Sequence, residues 1–351
     1  MRVVVTGATG NVGTSLLTLL AGDESIDEIV GIARRTPQLE LPRTRWVSAD
    51  VVHDDLEQHF AGADVVVHLA WLIQPSRDRA TTLAVNVDGS RRVFQAAVSV
   101  GVPALVYASS VGAYSPGPKD RAVDESWPTE GIPTSFYSRD KAQVEAILDG
   151  FEEGHPHMRV VRLRPGLIFK AEAASGIRRL FAGPFLPTPL LRRRLIPIVP
   201  SLPRLRFQAV HSLDIGAAYH LAVVRDVRGA FNIAADPVLD PPELGRLLGA
   251  RPVPVPERVL RAAVDAAWKL RLQPSPPGWL DLALGVPIMD TTRARSELGW
   301  APTHTSGEAL LELIEAMRRG DGLQTAPLQP GSAGPLRIRE LLTGIGGRSR
   351  G

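Results

Sequence analysis

The sequence predicts an α/β protein whose parallel sheet is covered by helices on both faces, and three observations carry this prediction. Residues 2–6 form a β-branched apolar run without alternation, which is typical of a strand buried on both faces of a parallel sheet. A glycine-rich turn follows at once, and the chain from Thr14 onward has the pattern of a helix. Short apolar runs then alternate with helical segments, which is the order that a doubly wound parallel sheet requires.

The same patterns place the other elements along the chain. The expected strands cover residues 2–6, 26–33, 45–51, 63–70, 104–110 and 160–169. The expected helices cover residues 54–60, 80–100, 137–148, 215–225, 259–272 and 306–317, after the first helix at residue 14. Each strand up to residue 169 is therefore followed or preceded by a helix that can cover one face of the sheet.

Composition limits the class of protein. The chain has 351 residues, of which 44% are hydrophobic and 22% charged, which suits two globular domains or one large domain with an insertion. No apolar run reaches the roughly 20 residues of a membrane span, and the chain enters a strand directly, so we expect neither a transmembrane helix nor a signal peptide. The absence of cysteine excludes disulfides, thiolate metal sites and a cysteine nucleophile. We expect a cytoplasmic enzyme with a small-molecule substrate and no metal. We expect no nucleic-acid partner, because 40 basic residues nearly balance 37 acidic ones.

The glycine-rich turn is a candidate phosphate site. Gly7, Gly10 and Gly13 are spaced by two residues each and lie between the first strand and the first helix. At such a turn the backbone N–H groups and the helix dipole face an anion, and glycine lets the backbone approach a phosphate closely. The candidate binding residues in this turn are Gly7, Thr9, Gly10, Asn11, Val12 and Gly13.

The end of the second strand bears on the choice of cofactor. An acid at this place would accept a hydrogen bond from the 2′-hydroxyl of an adenosine ribose. The sequence has Ala33 there, followed by Arg34 and Arg35, and an arginine can instead pair with a 2′-phosphate. This favours NADP over NAD, and the alternative is a solvated basic turn.

Tyr137 and Lys141 are candidate catalytic residues. They are four residues apart in an expected helix, so that the phenol and the ammonium lie on one face. A tyrosine with its ordinary pKa near ~10 is a poor acid or base at neutral pH, and a nearby cation favours the phenolate. We therefore expect Tyr137 to be an acid/base and Lys141 to lower its pKa.

Taken together, the glycine spacing and the Tyr-x-x-x-Lys pair resemble the extended branch of the short-chain dehydrogenase/reductase superfamily, the NAD-dependent epimerase/dehydratase type. The resemblance implies a Rossmann-type doubly wound parallel sheet with a smaller C-terminal α/β substrate domain, and a nicotinamide cofactor. It also implies that Lys141 holds the cofactor ribose. Ser109 and Ser110, followed by Tyr114, resemble the family's Ser-Ser-x-x-x-Tyr segment, which nominates Ser110 as the catalytic serine.

Further cofactor contacts are implied by matching segments at the strand ends. Asp50 and Val51 resemble the adenine-contacting pair, and Leu69 and Ala70 resemble the segment that passes under the cofactor. Asn86 matches an Asn-x-x-Gly segment whose asparagine ties its helix to the active-site strand. Pro165, in an Arg-Pro pair, is expected near the nicotinamide, whereas the tempting His68 is expected to be structural.

Two departures from the family pattern bear on the reaction. Sugar-nucleotide epimerases and dehydratases usually carry asparagine where this chain has Leu167, and Gly-Pro where it has Lys170 and Ala171. These departures favour a dehydrogenase or reductase of a small or lipophilic carbonyl compound. A sugar-nucleotide epimerase/dehydratase and an NADP-binding sensor without turnover stay open as alternatives.

The expected domain organisation has three parts. Residues 1–170 form an NAD(P)-binding Rossmann domain to which residues 207–235 return, residues 171–206 and 236–318 form a substrate-binding part, and residues 319–351 are a flexible, dispensable tail. The proline-rich basic segment 176–206 is a substrate lid, a surface for peripheral contact with a membrane or a partner, or a solvated loop. A homodimer is left open.

Overall fold

A seven-stranded parallel sheet forms the centre of the molecule. The computed structural model describes residues 1–74, 76–181 and 197–330. The strand order is β11-β7-β5-β4-β1-β2-β3, and every neighbouring pair is parallel. These strands are β1 Arg2–Thr6, β2 Glu28–Ala33, β3 Thr44–Ser48, β4 Val65–His68, β5 Ala104–Ala108, β7 Arg159–Pro165 and β11 Gly229–Ile233. The fold class is the one the sequence predicts.

Six short strands pair outside this sheet. They form the parallel pairs β8–β10, β9–β12 and β6–β13. Their bounds are β6 Ala122–Val123, β8 Leu167–Phe169, β9 Ile198–Ser201, β10 Ala209–His211, β12 Arg251–Pro254 and β13 Ile288–Met289.

The helices cover both faces of the central sheet. In chain order they are α1 Asn11–Gly22, α2 Glu57–Phe60, α3 Arg79–Leu83, α4 Gly89–Ser99, α5 Phe136–Gly154, α6 Ala174–Phe181, α7 Ser212–Val224, α8 Pro241–Leu248, α9 Glu257–Lys269, α10 Gly278–Gly285, α11 Thr292–Ser296 and α12 Ser306–Arg319. Helices α1 and α7 pack together on one face and α4 and α5 on the other. In the described part of the chain, no helix combines the length and apolarity needed to cross a membrane.

Strand β1 shows why the sheet needs cover on both faces. Val3 and Val5 belong to one buried cluster, with the helices α1 and α7, whereas Val4 belongs to the cluster on the opposite face. Successive side chains of a strand point to opposite faces, so a run of valines requires a helical layer on each side.

The strand expected over residues 160–169 is in fact two strands in different sheets. Strand β7 ends at Pro165 in the central sheet, and β8 begins at Leu167 and pairs with β10. Between them, a Cβ on Gly166 would lie 2.5 Å from the Gln208 carbonyl oxygen, so the approach of another backbone bends the chain here. The sequence pattern does not show this because the apolar run continues through the break.

Two helices also differ from expectation. Helix α1 begins at Asn11, three residues before the expected start, because Gly10 already adopts the extended conformation of an N-cap. The helix expected over residues 80–100 contains a π-helical turn, Ala84–Asp88, between α3 and α4. This turn carries Asn86, whose side chain bonds elsewhere, as described below.

The chain leaves the central sheet after β7 and returns to it with α7 and β11. Strand β11 lies at the sheet edge beside β7, and α7 packs on α1. A separate apolar cluster joins Phe169, Leu239 and the helices α8 and α12.

Residues 319–330 do not form the flexible tail that their composition suggests. Thr325 and Leu328 are 2% and 4% exposed. The Thr325 hydroxyl donates to the Thr9 carbonyl at 2.9 Å, and the Ser175 hydroxyl donates to the Asp321 carbonyl at 2.8 Å. These two hydrogen bonds and the burial of Thr325 and Leu328 hold the segment against the fold, although its average composition is polar. The rest of the expected tail, 331–351, and residues 182–196 of the basic segment lie outside the described residues.

Candidate active site

The start of α1 offers backbone donors to an anion. Gly10 is the N-cap, no side chain caps the helix, and no acid lies in its first turn. A Cβ on Gly7 would lie 2.6 Å from the Ala70 nitrogen, and a Cβ on Gly13 would lie 2.5 Å from the Ala8 carbonyl oxygen. These two glycines therefore allow close backbone packing at the turn. Among the described residues, a Cβ on Gly10 would meet only the Gly7 carbonyl, at 3.3 Å, so this part of the chain leaves that side of the turn open. The turn therefore fits a dinucleotide phosphate.

The other turn residues flank this opening. Thr9 is buried under the segment that contains Thr325, whereas Asn11 and Val12 are half-buried. The Asn11 amide donates to the Ile168 carbonyl at 3.2 Å, and its Oδ1 is buried without a partner among the described residues.

The residues expected around the adenosine lie after β2 and β3, which are neighbouring strands. Arg34 and Arg35 are exposed directly after Ala33. Asp50 accepts from the Val52 N–H at 2.9 Å, and Val51 is buried. The sequence has no acid directly after Ala33, and Arg34 and Arg35 are the charged side chains that follow it.

The segment after β4 passes close to the glycine turn. The backbone of Leu69 and Ala70 lies where a Gly7 side chain would be, and Leu69 N donates to the Thr6 carbonyl at 3.0 Å. Asn86 is fully buried and pairs with both backbone groups of Leu72, at 2.7 and 2.8 Å. The asparagine therefore holds the segment that follows β4. The resemblance implied instead that it ties its helix to the active-site strand.

His68 is a structural residue, as expected. Its ring nitrogens bond the Thr6 hydroxyl at 2.7 Å and the Ser90 hydroxyl at 2.9 Å. Burial lowers the pKa of His68 to about 3, so the ring is neutral at physiological pH.

Ser110 and Tyr137 come together after β5. Ser135 caps α5, and Tyr137 lies in the first turn of that helix with its ring against Gly112. The Ser110 hydroxyl accepts from the Gly112 N–H at 3.0 Å. A Cβ on Gly112 would lie 2.8 Å from the Tyr137 ring and 3.3 Å from the Ser110 hydroxyl oxygen, so the serine and the phenol are close neighbours. A serine and a phenol in contact can bind one substrate oxygen together.

The Lys141 ammonium is buried beside the segment that follows β4. Its Nζ donates to the Ala108 carbonyl at 2.6 Å and lies 3.4 Å from the centre of the Trp71 ring. Burial lowers the pKa of Lys141 well below its ordinary value. Burial raises the pKa of Tyr137 to about 12, and the interaction with Ser110 acts in the opposite direction. The Lys141 ammonium faces a carbonyl and an indole here, and its expected effect on the pKa of Tyr137 stays a prediction.

A buried ion pair fixes α5 against β7. Arg164 donates to both oxygens of Glu145, at 2.8 and 2.5 Å, and the Ser109 hydroxyl also donates to Glu145. Burial favours the neutral acid, yet the guanidinium contacts keep the pKa of Glu145 below its usual value. Pro165 is buried next to this pair, at the end of β7. The sequence analysis missed Glu145, although it stands four residues after Lys141 on the same helical face.

The sequence analysis also missed two tryptophans beside Tyr137. The Trp71 ring lies edge-on to the Tyr137 ring at 5.9 Å, and the Trp279 ring is tilted against it at 4.8 Å. Trp71 follows Ala70 directly, so its position beside the cofactor segment could have been noticed. Trp279 belongs to α10, 142 residues after Tyr137, and no local pattern connects the two.

Comparison with known proteins gives a family match. The sequence model described as NAD dependent epimerase/dehydratase family matches residues 3–181. An uncharacterized protein of Mycobacterium tuberculosis is 28% identical over 326 residues, which cover 92% of this chain and 31% of that protein. The chain thus spans about a third of the length of that relative. The L-arabinose 1-dehydrogenase (NAD(P)(+)) of Haloferax volcanii is 30% identical over 184 residues, 49% of this chain and 68% of that protein.

Solved structures share the fold. MoeE5 in complex with UDP-glucuronic acid and NAD has a TM-score of 0.64 and 23% identity, and covers 91% of this chain and 99% of its own. The UDP-glucose 4-epimerase of Thermus thermophilus in complex with NAD has a TM-score of 0.66 and 20% identity, with the same coverage. At these identities the likeness concerns the fold.

Proposed function

Because this chain belongs to the NAD dependent epimerase/dehydratase family, we propose that it is an NAD(P)-dependent oxidoreductase that transfers a hydride reversibly at a carbinol or carbonyl carbon. The observation that carries this proposal is the close approach of the Ser110 hydroxyl and the Tyr137 ring, which meet at Gly112. Lys141 lies one helical turn further along α5, and its ammonium lies over the Trp71 ring, which also contacts the Tyr137 ring. These contacts support the assignment of Lys141 to the same site.

Each of these side chains has one task in the proposed mechanism. The bound dinucleotide would be held by the glycine turn, by Asp50 and Val51, and by Lys141, and its nicotinamide ring supplies or accepts the hydride. Tyr137 gives its proton to the substrate oxygen when a carbonyl is reduced and takes it back when a carbinol is oxidised. Ser110 shares the substrate oxygen with Tyr137 and fixes its position.

Reduction is the direction that the Tyr137 environment favours. With a pKa near 12, the phenol keeps its proton at neutral pH and can donate it. Oxidation needs the phenolate, which is a minor species at that pH.

A sugar-nucleotide epimerase or dehydratase is the second candidate, because the structures named above hold UDP-sugars together with NAD. Two features of this chain favour net reduction or oxidation instead. Leu167 is 43% exposed where those enzymes usually carry an asparagine, and a leucine side chain makes no hydrogen bond to a sugar or phosphate. Lys170 is buried against Thr14 and Ser15, in place of the usual glycine. A sensor without turnover has no feature of its own in its favour.

We also propose NADP as the preferred cofactor and keep the domain division of the sequence analysis. Exposed Arg34 and Arg35, without an acid at the end of β2, support NADP. The return of β11 and α7 to the central sheet supports the assignment of residues 207–235 to the Rossmann domain.

Two variants separate the proposed roles. We expect Lys141→Met to weaken cofactor binding and lower turnover, because one ammonium holds the ribose and supports the site. Ser110→Ala should lower turnover by about tenfold or more with cofactor affinity unchanged, because the proposed role of the serine is to bind the substrate oxygen and not the cofactor. Calorimetric titration of NADPH and initial rates of NADPH oxidation measure both effects. Equal cofactor affinity in the wild type and Lys141→Met would remove the lysine from the proposed site.

A further inference from the structure

Aromatic side chains from distant parts of the chain surround Tyr137. Besides Trp71 and Trp279, Phe181 at the end of α6 lies perpendicular to the Trp279 ring at 4.9 Å, and Phe136 does so at 6.1 Å. These rings come from the segment after β4 and from α5, α6 and α10. Together they give the phenol an environment of flat apolar surfaces, which we call the aromatic box.

The box contains two buried hydrogen-bond donors without acceptors. The indole Nε1 atoms of both Trp71 and Trp279 are buried and have no partner within the part of the chain that the structure describes. Three of the other four tryptophans have a hydrogen-bonded indole within the described residues. The indole N–H groups of Trp46, Trp127 and Trp300 donate to backbone carbonyls at 2.7, 3.3 and 2.8 Å. Buried hydrogen-bond donors normally have an acceptor. Both unpaired indole N–H groups lie beside the same phenol, which suggests that a ligand supplies their acceptors.

Among the described residues, Lys141 and Arg79 are cations that contact the box. Lys141 donates to the Ala108 carbonyl and is assigned to the cofactor ribose in the proposed function. Arg79, whose guanidinium lies 4.4 Å from the Phe136 ring, pairs with Asp140 at 2.7 Å. Most other described neighbours of Tyr137 are aromatic or aliphatic side chains, which suit an apolar ligand better than the two phosphates of a nucleotide sugar.

On the basis of the proposed function, we propose that Trp71 and Trp279 determine substrate specificity. The substrate class is a planar, apolar carbonyl compound with at least two oxygen acceptors. Its ring lies against the aromatic box, because flat aromatic faces stack favourably. Its oxygen atoms accept from the indole N–H groups, while the reacting carbonyl oxygen faces Ser110 and Tyr137.

Binding of phenanthrenequinone, a planar apolar dicarbonyl, tests this inference. The full chain saturated with oxidised NADP is titrated with this probe, and binding is followed by tryptophan fluorescence and ligand-observed NMR. Trp71→Phe and Trp279→Phe keep an aromatic ring and remove only the indole with its N–H. We expect each to weaken binding about three- to tenfold, the usual worth of a neutral hydrogen bond.

Trp268→Phe is the matched control. Trp268 lies on α9 with its ring under the Arg77 guanidinium, and its replacement should leave binding unchanged. The melting temperature and NADP affinity of all three variants establish that each is folded. Because the oxidised cofactor cannot reduce the probe, binding is measured independently of turnover, and a separate assay of NADPH oxidation tests the proposed function. If Trp71→Phe and Trp279→Phe both bind phenanthrenequinone as tightly as the unmodified protein does, the inference is overturned. Binding of UDP-glucose without binding of phenanthrenequinone would also overturn it.

Discussion

At the scale of residues, the electrostatics of Tyr137 and Lys141 depend on their immediate neighbours. Lys141 is buried and Tyr137 is partly buried, which raises the pKa of the phenol and lowers that of the ammonium. The i, i+4 spacing brings them to one helical face, but it does not determine what each atom touches. Trp71 lies between the two groups and contacts both.

The pH dependence of the reaction follows from the Tyr137 phenol. Its pKa of about 12 means that the donating form persists across the neutral range, so the rate of carbonyl reduction should show no loss between about pH 6 and 9. Oxidation uses the deprotonated form, and its kcat/KM should rise about tenfold per pH unit over the same range. Initial rates in both directions against pH measure this. An oxidation rate that levels off near pH 7 would show that the phenol titrates there and that its burial does not control its pKa.

Arg34 and Arg35 should determine the preference for NADP. Replacing both with alanine removes the cations that would pair with the 2′-phosphate. NADP binding should weaken by about 1.5–3 kcal/mol for each charged hydrogen bond lost, while NAD affinity should change little. Calorimetric titration of both cofactors to both proteins gives the four affinities. If the unmodified protein binds NAD and NADP equally, these arginines are a solvated basic turn.

Several site residues could be predicted from the sequence because their signals are local. The glycines of the turn and the Tyr137–Lys141 pair each lie within a few residues of one another. Glu145 pairs with Arg164, and Trp279 packs on Tyr137, only after distant segments have folded together. Burial of the ammonium against Trp71 also results from tertiary packing, so the expected effect of Lys141 on the tyrosine pKa could not be tested from spacing.

At the scale of elements, apolar runs identify strands and helices better than they identify where these end. The pattern continues from β7 into β8, and only the close approach of the Gln208 backbone to Gly166 separates the two. The π-helical turn Ala84–Asp88 is similarly hidden within a helical pattern. This turn carries Asn86, which pairs with Leu72 of another segment.

The segment 321–330 should stabilise the fold. It buries Leu328 and ties Thr325 to the glycine turn through the Thr9 carbonyl. A chain that ends at residue 320 should therefore unfold more easily than one that ends at residue 330, by about 2–3 kcal/mol for the leucine and the hydrogen bond. Thermal melting of the two truncated proteins measures the difference. Identical melting temperatures would mean that these contacts contribute nothing and that the composition-based expectation of a dispensable tail holds here as well.

At the scale of the whole molecule, the alternation of strands and helices predicts the fold class because each parallel connection needs a crossover. The sheet order places β1 centrally, so that its glycine turn lies near the segment that follows β4. The substrate side cannot be predicted in this way. It is assembled from the loop after β4, the end of α6 and the start of α10, whose meeting depends on the complete tertiary structure.

Net oxidation of NADPH is the measurement that tests the central proposal most directly. The full chain is incubated with NADPH and a panel of aryl ketones, aldoses and UDP-sugars, and the absorbance of the reduced cofactor is followed together with the products. We predict stoichiometric oxidation of NADPH with at least one carbonyl compound. Tyr137→Phe, which keeps the ring and removes only the hydroxyl, should lower that rate by about 10²–10⁴ with cofactor affinity retained. Epimerisation of a UDP-sugar without net oxidation of NADPH by any member of the panel, or near-normal turnover by Tyr137→Phe, would contradict the account.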